Sequence, residues 1–392
     1  MSTKTLRVGV LTPVNTLNPR EAQDFVSALA VQQVFETPYG QPATTGTPPE
    51  PVLFQERLRQ EPSADGATTY SAAVRPGILF SDGMPLTAQH MADSLAKASP
   101  LREEADVEVK GDRVYFRLKR PNARFDLVLA RRFCFVTREV GGAGLGSLLG
   151  TGPYIPAPGS TPERMRLVRN PHFRKPPAID EIVFQFYPPD AQGRSDALIA
   201  ALENGEVDFT NVLSREDITH LKHVRRWTEP GSSTAILFMN TERPGLDDVR
   251  LRRAIALSID RLEIAKMFYS SATAFTATSL LPPMLGRGSD GLTYDPGQAR
   301  ALLAAPGVHK PDRMSLLLIF GARPYLPSPR RVGEHIAAQL EKLGIGVDLI
   351  PTNTVQQYFE KVQRGDYDLA LSGRITDTLD PVDFLEASLG SG

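Results

Sequence analysis

Two short segments near the end of the sequence carry opposite charges that could bind a small zwitterion. Arg323 opens the segment Arg323-Pro324-Tyr325, and Asp377 lies within the segment 372–381, SGRITDTLDP. A guanidinium can bind a carboxylate through two N–H donors, and a carboxylate can accept hydrogen bonds from an ammonium group. These residue types therefore point to recognition of a peptide or an amino acid rather than to catalysis.

Predicted strands and helices alternate around both segments. The predicted strands are 315–320, 346–350 and 367–372, and the predicted helices between them are 330–343 and 355–363. Strands that alternate with helices are typical of a parallel sheet, in which ligands bind beyond the carboxyl ends of the strands. Arg323 and Asp377 are expected at that edge. Alternatively, they are surface ends of strands, or they pair with each other across the sheet.

The composition is that of an ordinary globular protein with two domains. The chain has 392 residues, which exceeds the usual size of a single hydrophobic core. Hydrophobic residues make up 41% and charged residues 23%, so neither disorder nor membrane insertion is predicted. The formal net charge of −1 argues against a nucleic-acid-binding protein, which would carry a basic face.

Sequence patterns of familiar catalytic and metal centres are absent from the chain. HExxH, GxSxG and CxxC do not occur, and the pair His220 and His223 has no evident third metal ligand. The single cysteine, Cys134, lies in the apolar run 133–136 and is predicted to be buried rather than nucleophilic. No catalytic residue, metal or cofactor is therefore predicted.

The N-terminus leaves the cellular location open. Residues 1–11 (MSTKTLRVGVL) contain no apolar segment followed by a cleavage site, so they do not predict a secretory signal. The protein is extracytoplasmic if a signal peptide has been removed, and it is cytoplasmic if Met1 is its native start.

Several separated segments resemble one family, the extracytoplasmic solute-binding proteins of peptide, nickel and related ABC importers (solute-binding family 5). The most family-specific of these segments is 74–88, VRPGILFSDGMPLTA. The others are 150–154 (GTGPY), 170–173 (NPHF) with 177–182 (PAIDEI), and 240–241 (NT) with 248–254 (DVRLRRA) and 259–261 (IDR). The resemblance extends from about residue 6 to residue 385, and its final segment is most similar to dipeptide-binding members.

The resemblance also implies roles for residues near the end of the chain. In dipeptide-binding members, an arginine in an RPY segment binds the peptide carboxylate, and an aspartate in a GWTGDNGDP segment binds the ammonium group. Arg323 and Asp377 occupy these positions, whereas Arg374 replaces the tryptophan, which implies a more polar pocket or one that accepts an acidic group. For Trp227, a wall of the site and a place in the core are equal alternatives. The candidate ligand-binding residues are Arg323, Tyr325, Asp377, Arg374, Asp380 and Trp227.

The fold implied by the resemblance is α/β, of the type II periplasmic-binding-protein-like class, with two lobes, a hinge and an interlobe cleft. Lobe I is expected at residues 1–240, including a reduced small α+β subdomain at about 50–149. Lobe II is expected at 241–392 as a βαβαβ series. In the family a further C-terminal segment returns to lobe I, and this return is expected to be missing here.

The implied function is capture of a short peptide or peptide-like zwitterion as the substrate-binding component of an ABC-type peptide importer. The implied partners are this ligand and ABC permease subunits. The protein is expected to be a monomer that binds no nucleic acid and does not insert into a membrane. An alternative is a cytoplasmic protein of this fold that acts as a peptide-binding accessory or enzyme in a biosynthetic pathway, or as a ligand-sensing regulatory module.

Overall fold

The chain forms two compact units in the computed structural model. The first contains Met1–Phe186 and Asp377–Asp380, and the second contains Tyr187–Thr376 and Pro381–Gly392. The described residues are 3–42, 44–62, 66–141, 144, 146–190, 194–213, 215–219, 221–227, 231–269, 276–286, 291–376, 378–382 and 384–385.

The first unit contains two four-stranded sheets and one two-stranded sheet among its described residues. The strands are β1 (Thr5–Val10), β2 (Arg59–Glu61), β3 (Thr69–Ala73), β4 (Ala105–Lys110), β5 (Arg113–Leu118), β6 (Arg138–Glu139), β7 (Leu148–Leu149), β8 (Tyr154–Pro156), β9 (Arg164–Arg169) and β10 (Glu181–Phe186). The helices are α1 (Phe25–Val34), α2 (Ala88–Leu95), α3 (Ser99–Glu104) and α4 (Phe125–Leu129), followed by a 3-10 turn at Arg132–Cys134. The strand orders are β1-β10-β9-β8, β2-β3-β5-β4 and β6-β7.

Each four-stranded sheet of the first unit has its own hydrophobic core. The core of the β1-β10-β9-β8 sheet contains Val31 of α1 and Phe184 of β10. The core of the β2-β3-β5-β4 sheet contains Met91 of α2, Phe116 of β5 and Phe125 of α4. The range in which the small α+β subdomain is expected contains this second sheet and its three helices.

The segment GTGPY at 150–154 is explained by close packing against the end of α1. A Cβ atom on Gly150 would come within 2.1 Å of the Val34 carbonyl oxygen, and one on Gly152 would come within 2.6 Å of the same atom. The backbone N–H of Gly152 donates to this oxygen at 3.0 Å. The glycines therefore let the chain approach the Val34 carbonyl at the end of α1, which a helix alone leaves unsatisfied.

The second unit contains one four-stranded sheet and seven α-helices among its described residues. The strands are β11 (Ser233–Met239), β12 (Arg313–Leu318), β13 (Gly346–Pro351) and β14 (Leu369–Ile375), in the order β11-β14-β12-β13. The helices are α5 (Asp196–Glu203), α6 (Arg215–Thr219), α7 (Val249–Ser258), α8 (Arg261–Phe268), α9 (Pro296–Leu303), α10 (Pro329–Glu341) and α11 (Val355–Gln363), with a 3-10 turn at Pro283–Leu285.

The second unit contains a βαβαβ series. β12 pairs in parallel with both β13 and β14, and α10 and α11 connect the three strands in turn. α10 places Val332, Ile336 and Leu340 in the core, which is the spacing that one buried helix face requires. Gly344 follows α10 with a φ of +73°, a conformation that favours glycine after a helix.

The division between the units lies after Phe186, whereas the sequence analysis placed the end of lobe I at residue 240. The difference covers residues 187–240, which include α5, α6 and β11, and β11 pairs antiparallel with β14 over its whole length. An apolar strand can complete either neighbouring sheet, and the sequence around 233–239 does not specify which one. The pairing assigns this strand to the second unit.

Candidate ligand-binding site

A tight turn follows β12 at the carboxyl edge of the second-unit sheet. The backbone N–H of Arg323 donates to the carbonyl of Leu326 at 3.0 Å, and the N–H of Leu326 donates to the carbonyl of Arg323 at 2.9 Å. Pro324 and Tyr325 form the two central positions, and proline suits the first of them because its ring fixes φ. We call residues 323–326 the RPY turn.

Arg323, the first residue of this turn, is buried although it is charged. It is 4% exposed, and arginine is rarely buried so completely in proteins. At such a site the local dielectric constant is low, so a charge-assisted hydrogen bond to the guanidinium is stronger than it would be at the surface. The turn therefore presents a cation at the edge where ligands of parallel sheets bind.

Tyr325 covers the neighbouring strand from the same turn. A Cβ atom on Gly373 of β14 would lie 2.4 Å from Tyr325 Cδ2 and 2.3 Å from the backbone oxygen of Thr234. Only glycine fits beneath the ring, so the turn after β12 lies directly against the end of β14.

A second tyrosine holds the RPY turn from α8. The Tyr269 hydroxyl donates a hydrogen bond to the backbone carbonyl of Tyr325. Burial raises the pKa of the Tyr269 phenol, and the nearby Tyr325 phenol raises it further. The hydroxyl therefore keeps its proton and remains a donor. Sequence reasoning did not single out Tyr269, because the contact joins residues 56 positions apart.

Arg374 lies on the opposite face of β14 from Gly373, because successive side chains of a strand alternate between faces. It is half-buried and lies opposite Thr234 of β11 in the strand register. Ser372 shares its face and hydrogen bonds with Tyr358 of α11, whose pKa is raised by burial. Arg374 therefore directly follows the residue of β14 that contacts the RPY turn, but its side chain faces the α11 side of the sheet.

A carboxylate at the amino edge fixes β14 against β12. Asp368 accepts hydrogen bonds from the Ser315 backbone N–H and hydroxyl, both at 2.8 Å, and from Arg243 Nε at 2.9 Å. Burial alone would raise the pKa of this carboxyl, but the hydrogen bonds from Ser315 and Arg243 outweigh burial and lower it. The hydrogen bonds of Asp368 with Ser315 fix the register between β14 and β12, and this register brings the carboxyl ends of the two strands together.

Asp380 belongs to the first unit and forms an ion pair with Arg124, which precedes α4. Its side chain is 5% exposed, whereas that of Arg124 is 51% exposed. Thr378 is completely buried, and Leu379 between them has a φ of +41°. Asp380 therefore pairs with Arg124 of the same unit, a contact that the sequence does not predict. Asp377 lies outside the described residues.

Trp227 is 73% exposed and lies beside Arg225, whose guanidinium carbon is 5.7 Å from the ring centroid. It does not occupy the core, which was one of its two predicted positions. Among the described residues, no group of three His, Cys, Asp or Glu side chains converges to hold a metal ion. No helix in the described part of the chain is both long and apolar enough to cross a membrane.

The most family-specific segment, 74–88, forms a structural turn in the first unit. Asp82 accepts a hydrogen bond from the Met84 backbone N–H at 3.1 Å and pairs with Arg138. The His172 ring lies against Gly83, which has a φ of +87°. Asp82 and Gly83 of this segment therefore have structural roles in the first unit.

Comparison with known proteins identifies the family. The model for bacterial extracellular solute-binding proteins, family 5 Middle, matches residues 49–392. The chain belongs to solute-binding protein family 5. The dipeptide-binding protein of Escherichia coli (strain K12) is 28% identical over 294 residues, which are 71% of this chain and 54% of the relative. Di/tripeptide-binding protein 2 of Pseudomonas aeruginosa (strain UCBPP-PA14) is 29% identical over 340 residues, 80% of this chain and 62% of the relative.

Solved structures of family 5 proteins share the fold of this chain. A dipeptide-binding protein from Pseudoalteromonas sp. SM9913 in complex with Met-Leu superposes with a TM-score of 0.80 at 19% identity, over 97% of this chain and 82% of the other. NikA from Staphylococcus aureus, in complex with Ni(L-His)2, gives the same TM-score and identity, over 97% of this chain and 81% of the other. The predicted type II periplasmic-binding-protein-like fold is confirmed. The chain spans about half to three fifths of the length of the two curated relatives.

Proposed function

We propose that this family 5 chain captures a short peptide or a peptide-like zwitterion as the substrate-binding component of an ABC-type peptide importer. The observation that carries the proposal is Arg323, a guanidinium that is 4% exposed in a tight turn at the carboxyl edge of the parallel strands β12, β13 and β14. The names of the curated relatives, which describe dipeptide and di/tripeptide binding, support the same ligand class.

Arg323 is the proposed partner of the peptide carboxylate. A guanidinium and a carboxylate match as two parallel N–H···O hydrogen bonds, which fix orientation as well as supplying energy. The ring of Tyr325, placed on Gly373, would form an apolar wall beside this contact. Asp377, which follows β14 in sequence, is the proposed acceptor for the ammonium group.

The remaining candidates have secondary roles in this proposal. Arg374 would add a positive charge near the end of β14 and favour ligands with an acidic side chain. Asp380 would support the segment that carries Asp377 through its ion pair with Arg124. Trp227, because it is exposed, would contact only a part of the ligand that remains near solvent.

Binding without catalysis is the proposed chemistry. A buried charge is costly to desolvate alone, so a site with one cation and one anion should favour ligands that present both opposite charges. We further propose that the protein acts as a monomer and delivers its ligand to ABC permease subunits.

Calorimetry with the dipeptide Met-Leu tests the proposal directly. We expect binding by the wild-type chain, and at least about tenfold weaker binding by Arg323→Ala and by Asp377→Ala, since tenfold corresponds to ~1.4 kcal/mol. Arg313→Ala is the matched control, because Arg313 lies at the other end of β12 and pairs with Asp348 at the surface. If the wild-type chain does not bind Met-Leu, or if both site variants keep wild-type affinity, the assignment of the site is wrong.

A further inference from the structure

We propose that Tyr269 is a positioning residue for the carboxylate site, because its hydroxyl fixes the RPY turn and thereby the Arg323 guanidinium. The proposal rests on the proposed function, since it assigns Arg323 to the ligand's carboxylate. Tyr269 lies just after α8, and its hydroxyl donates to the backbone carbonyl of Tyr325, between Arg323 and Leu326.

The RPY turn needs an outside donor at this carbonyl. Its two internal hydrogen bonds use the N–H and C=O groups of Arg323 and Leu326. Neither of these hydrogen bonds uses the Tyr325 carbonyl, and Pro324 has no N–H to donate. This carbonyl therefore needs a donor from outside the turn. Tyr269 supplies that partner from a different element, which restricts rotation of the central peptide groups of the turn.

Tyr269 is itself held in place through α8. Its backbone N–H caps the helix by donating to the Ala265 carbonyl at 3.1 Å. At the other end of α8, Glu263 accepts from Gln339 Nε2 of α10 at 2.9 Å, and the Asp260 backbone N–H donates to Gln339 Oε1 at 3.0 Å. α8 is therefore tied to α10, the helix that begins directly after the turn.

His335 completes this connection between the two helices. Its Nε2 lies 3.0 Å from a Glu263 carboxylate oxygen. The same nitrogen lies 3.0 Å from Gln339 Nε2, so His335, Glu263 and Gln339 form one polar cluster between α8 and α10. Gln339 also donates to the carboxylate, and its oxygen is used by the Asp260 N–H, so the amide orientation is fixed as well. Tyr269 therefore contacts the turn from the end of α8, a helix that is held in place by its hydrogen bonds to α10.

A positioning role predicts a selective effect on carboxylate recognition. Two parallel hydrogen bonds from a guanidinium depend strongly on angle and distance, so a loosened turn should weaken them first. Contacts of the ligand that do not involve Arg323 should change little. A residue that contributed only to the stability of the fold would not change the preference for ligands that carry a carboxylate.

The test compares Met-Leu with its C-terminal amide, which lacks the carboxylate, by calorimetry. The wild-type chain should bind the free acid at least about tenfold more tightly than the amide. Tyr269→Phe should weaken binding of the free acid by about tenfold and leave binding of the amide nearly unchanged, so the preference is lost. Thermal unfolding of both chains shows whether the variant is folded.

Tyr154→Phe is the matched control, because the Tyr154 hydroxyl also donates to a backbone carbonyl, that of Ile179 at 3.1 Å, but in the first unit. This control should keep the wild-type preference for the free acid. A Tyr269→Phe chain that keeps the preference overturns the positioning role alone. A wild-type chain that binds neither peptide, or binds both equally, overturns the proposed carboxylate site and the positioning role with it. If Tyr269→Phe does not fold, Glu263→Gln, which weakens the connection between α8 and α10, should reduce the same preference, and an unchanged preference in that chain overturns the positioning role.

Discussion

The ring of Tyr325 lies on Gly373, so close that a Cβ atom there would come within 2.4 Å of Tyr325 Cδ2. The contact joins the turn after β12 to the end of β14, two strands that run parallel side by side. A glycine at this position is therefore required by the site's architecture, and the contact can be tested by adding a single methyl group.

Gly373→Ala should displace the Tyr325 ring and strain β14 against Thr234. We expect a loss of about 1–3 kcal/mol in unfolding free energy, as for other overpacked sites, together with weaker binding of Met-Leu. Chemical denaturation and calorimetry measure the two effects. Gly146→Ala is the control, because a Cβ atom there meets nothing within 4 Å. Equal stability of the Gly373→Ala chain and the wild type would contradict the close contact.

The ion pair between Arg124 and Asp380 predicts a coupled effect on stability. Arg124→Ala removes the guanidinium from a carboxylate that is 5% exposed, and should cost about 2 kcal/mol because the cation itself is half-exposed. In the double variant Arg124→Ala/Asp380→Asn, the loss should be smaller than the sum of the two single losses. Denaturation of the four chains measures the coupling, and strict additivity would show that the pair contributes nothing.

The backbone conformation of Leu379 predicts that a chain with glycine at this position is more stable than one with alanine, which reverses the usual order. Its φ of +41° is unfavourable for any residue with a Cβ atom, by about 1–2 kcal/mol. Leu379→Gly should therefore be more stable than Leu379→Ala by about 1 kcal/mol, although both lose the leucine side chain. At the exposed Ala200 of α5, glycine should instead be less stable than alanine by about 1 kcal/mol. Thermal unfolding of these chains reveals the sign at each position.

Asp368 predicts a pH-dependent contribution to stability. Its pKa is lowered in the folded chain, so the stabilisation is complete above the unfolded value of about 3.9 and is lost as the pH falls through the lower folded value. At pH 6, Asp368→Asn should be less stable than the wild type by about 1–2 kcal/mol. The difference should shrink between pH 4 and the folded pKa of Asp368. A difference that stays constant with pH would contradict the charged hydrogen bonds.

The βαβαβ series could be predicted because its signals are local. The buried face of α10 repeats at helical spacing, Gly344 ends it, and Thr354 caps α11 by accepting from the Gln357 N–H at 3.0 Å. α11 has the predicted bounds, Val355–Gln363. Each of these features depends on residues within a few positions of one another.

The contacts that shape the site could not be predicted because they join distant segments. Tyr269 meets Tyr325 across 56 positions, and Arg124 meets Asp380 across more than 250. The sequence does not show whether a tyrosine or an arginine contacts a distant residue or is exposed to solvent. The placement of β11 in the second unit has the same origin, since a short apolar strand carries no information about which sheet it joins.

The division of the first unit into two stretches of chain has a consequence for biosynthesis. Its last stretch, Asp377–Asp380, is translated about 190 residues after Phe186. At about 5–20 residues per second, this delay is about 10–40 s, which is far longer than the formation of a helix or a hairpin. The ion pair between Arg124 and Asp380 therefore cannot form until β11, β12, β13 and β14 have all been synthesised, so the first unit gains its last native contacts late in synthesis.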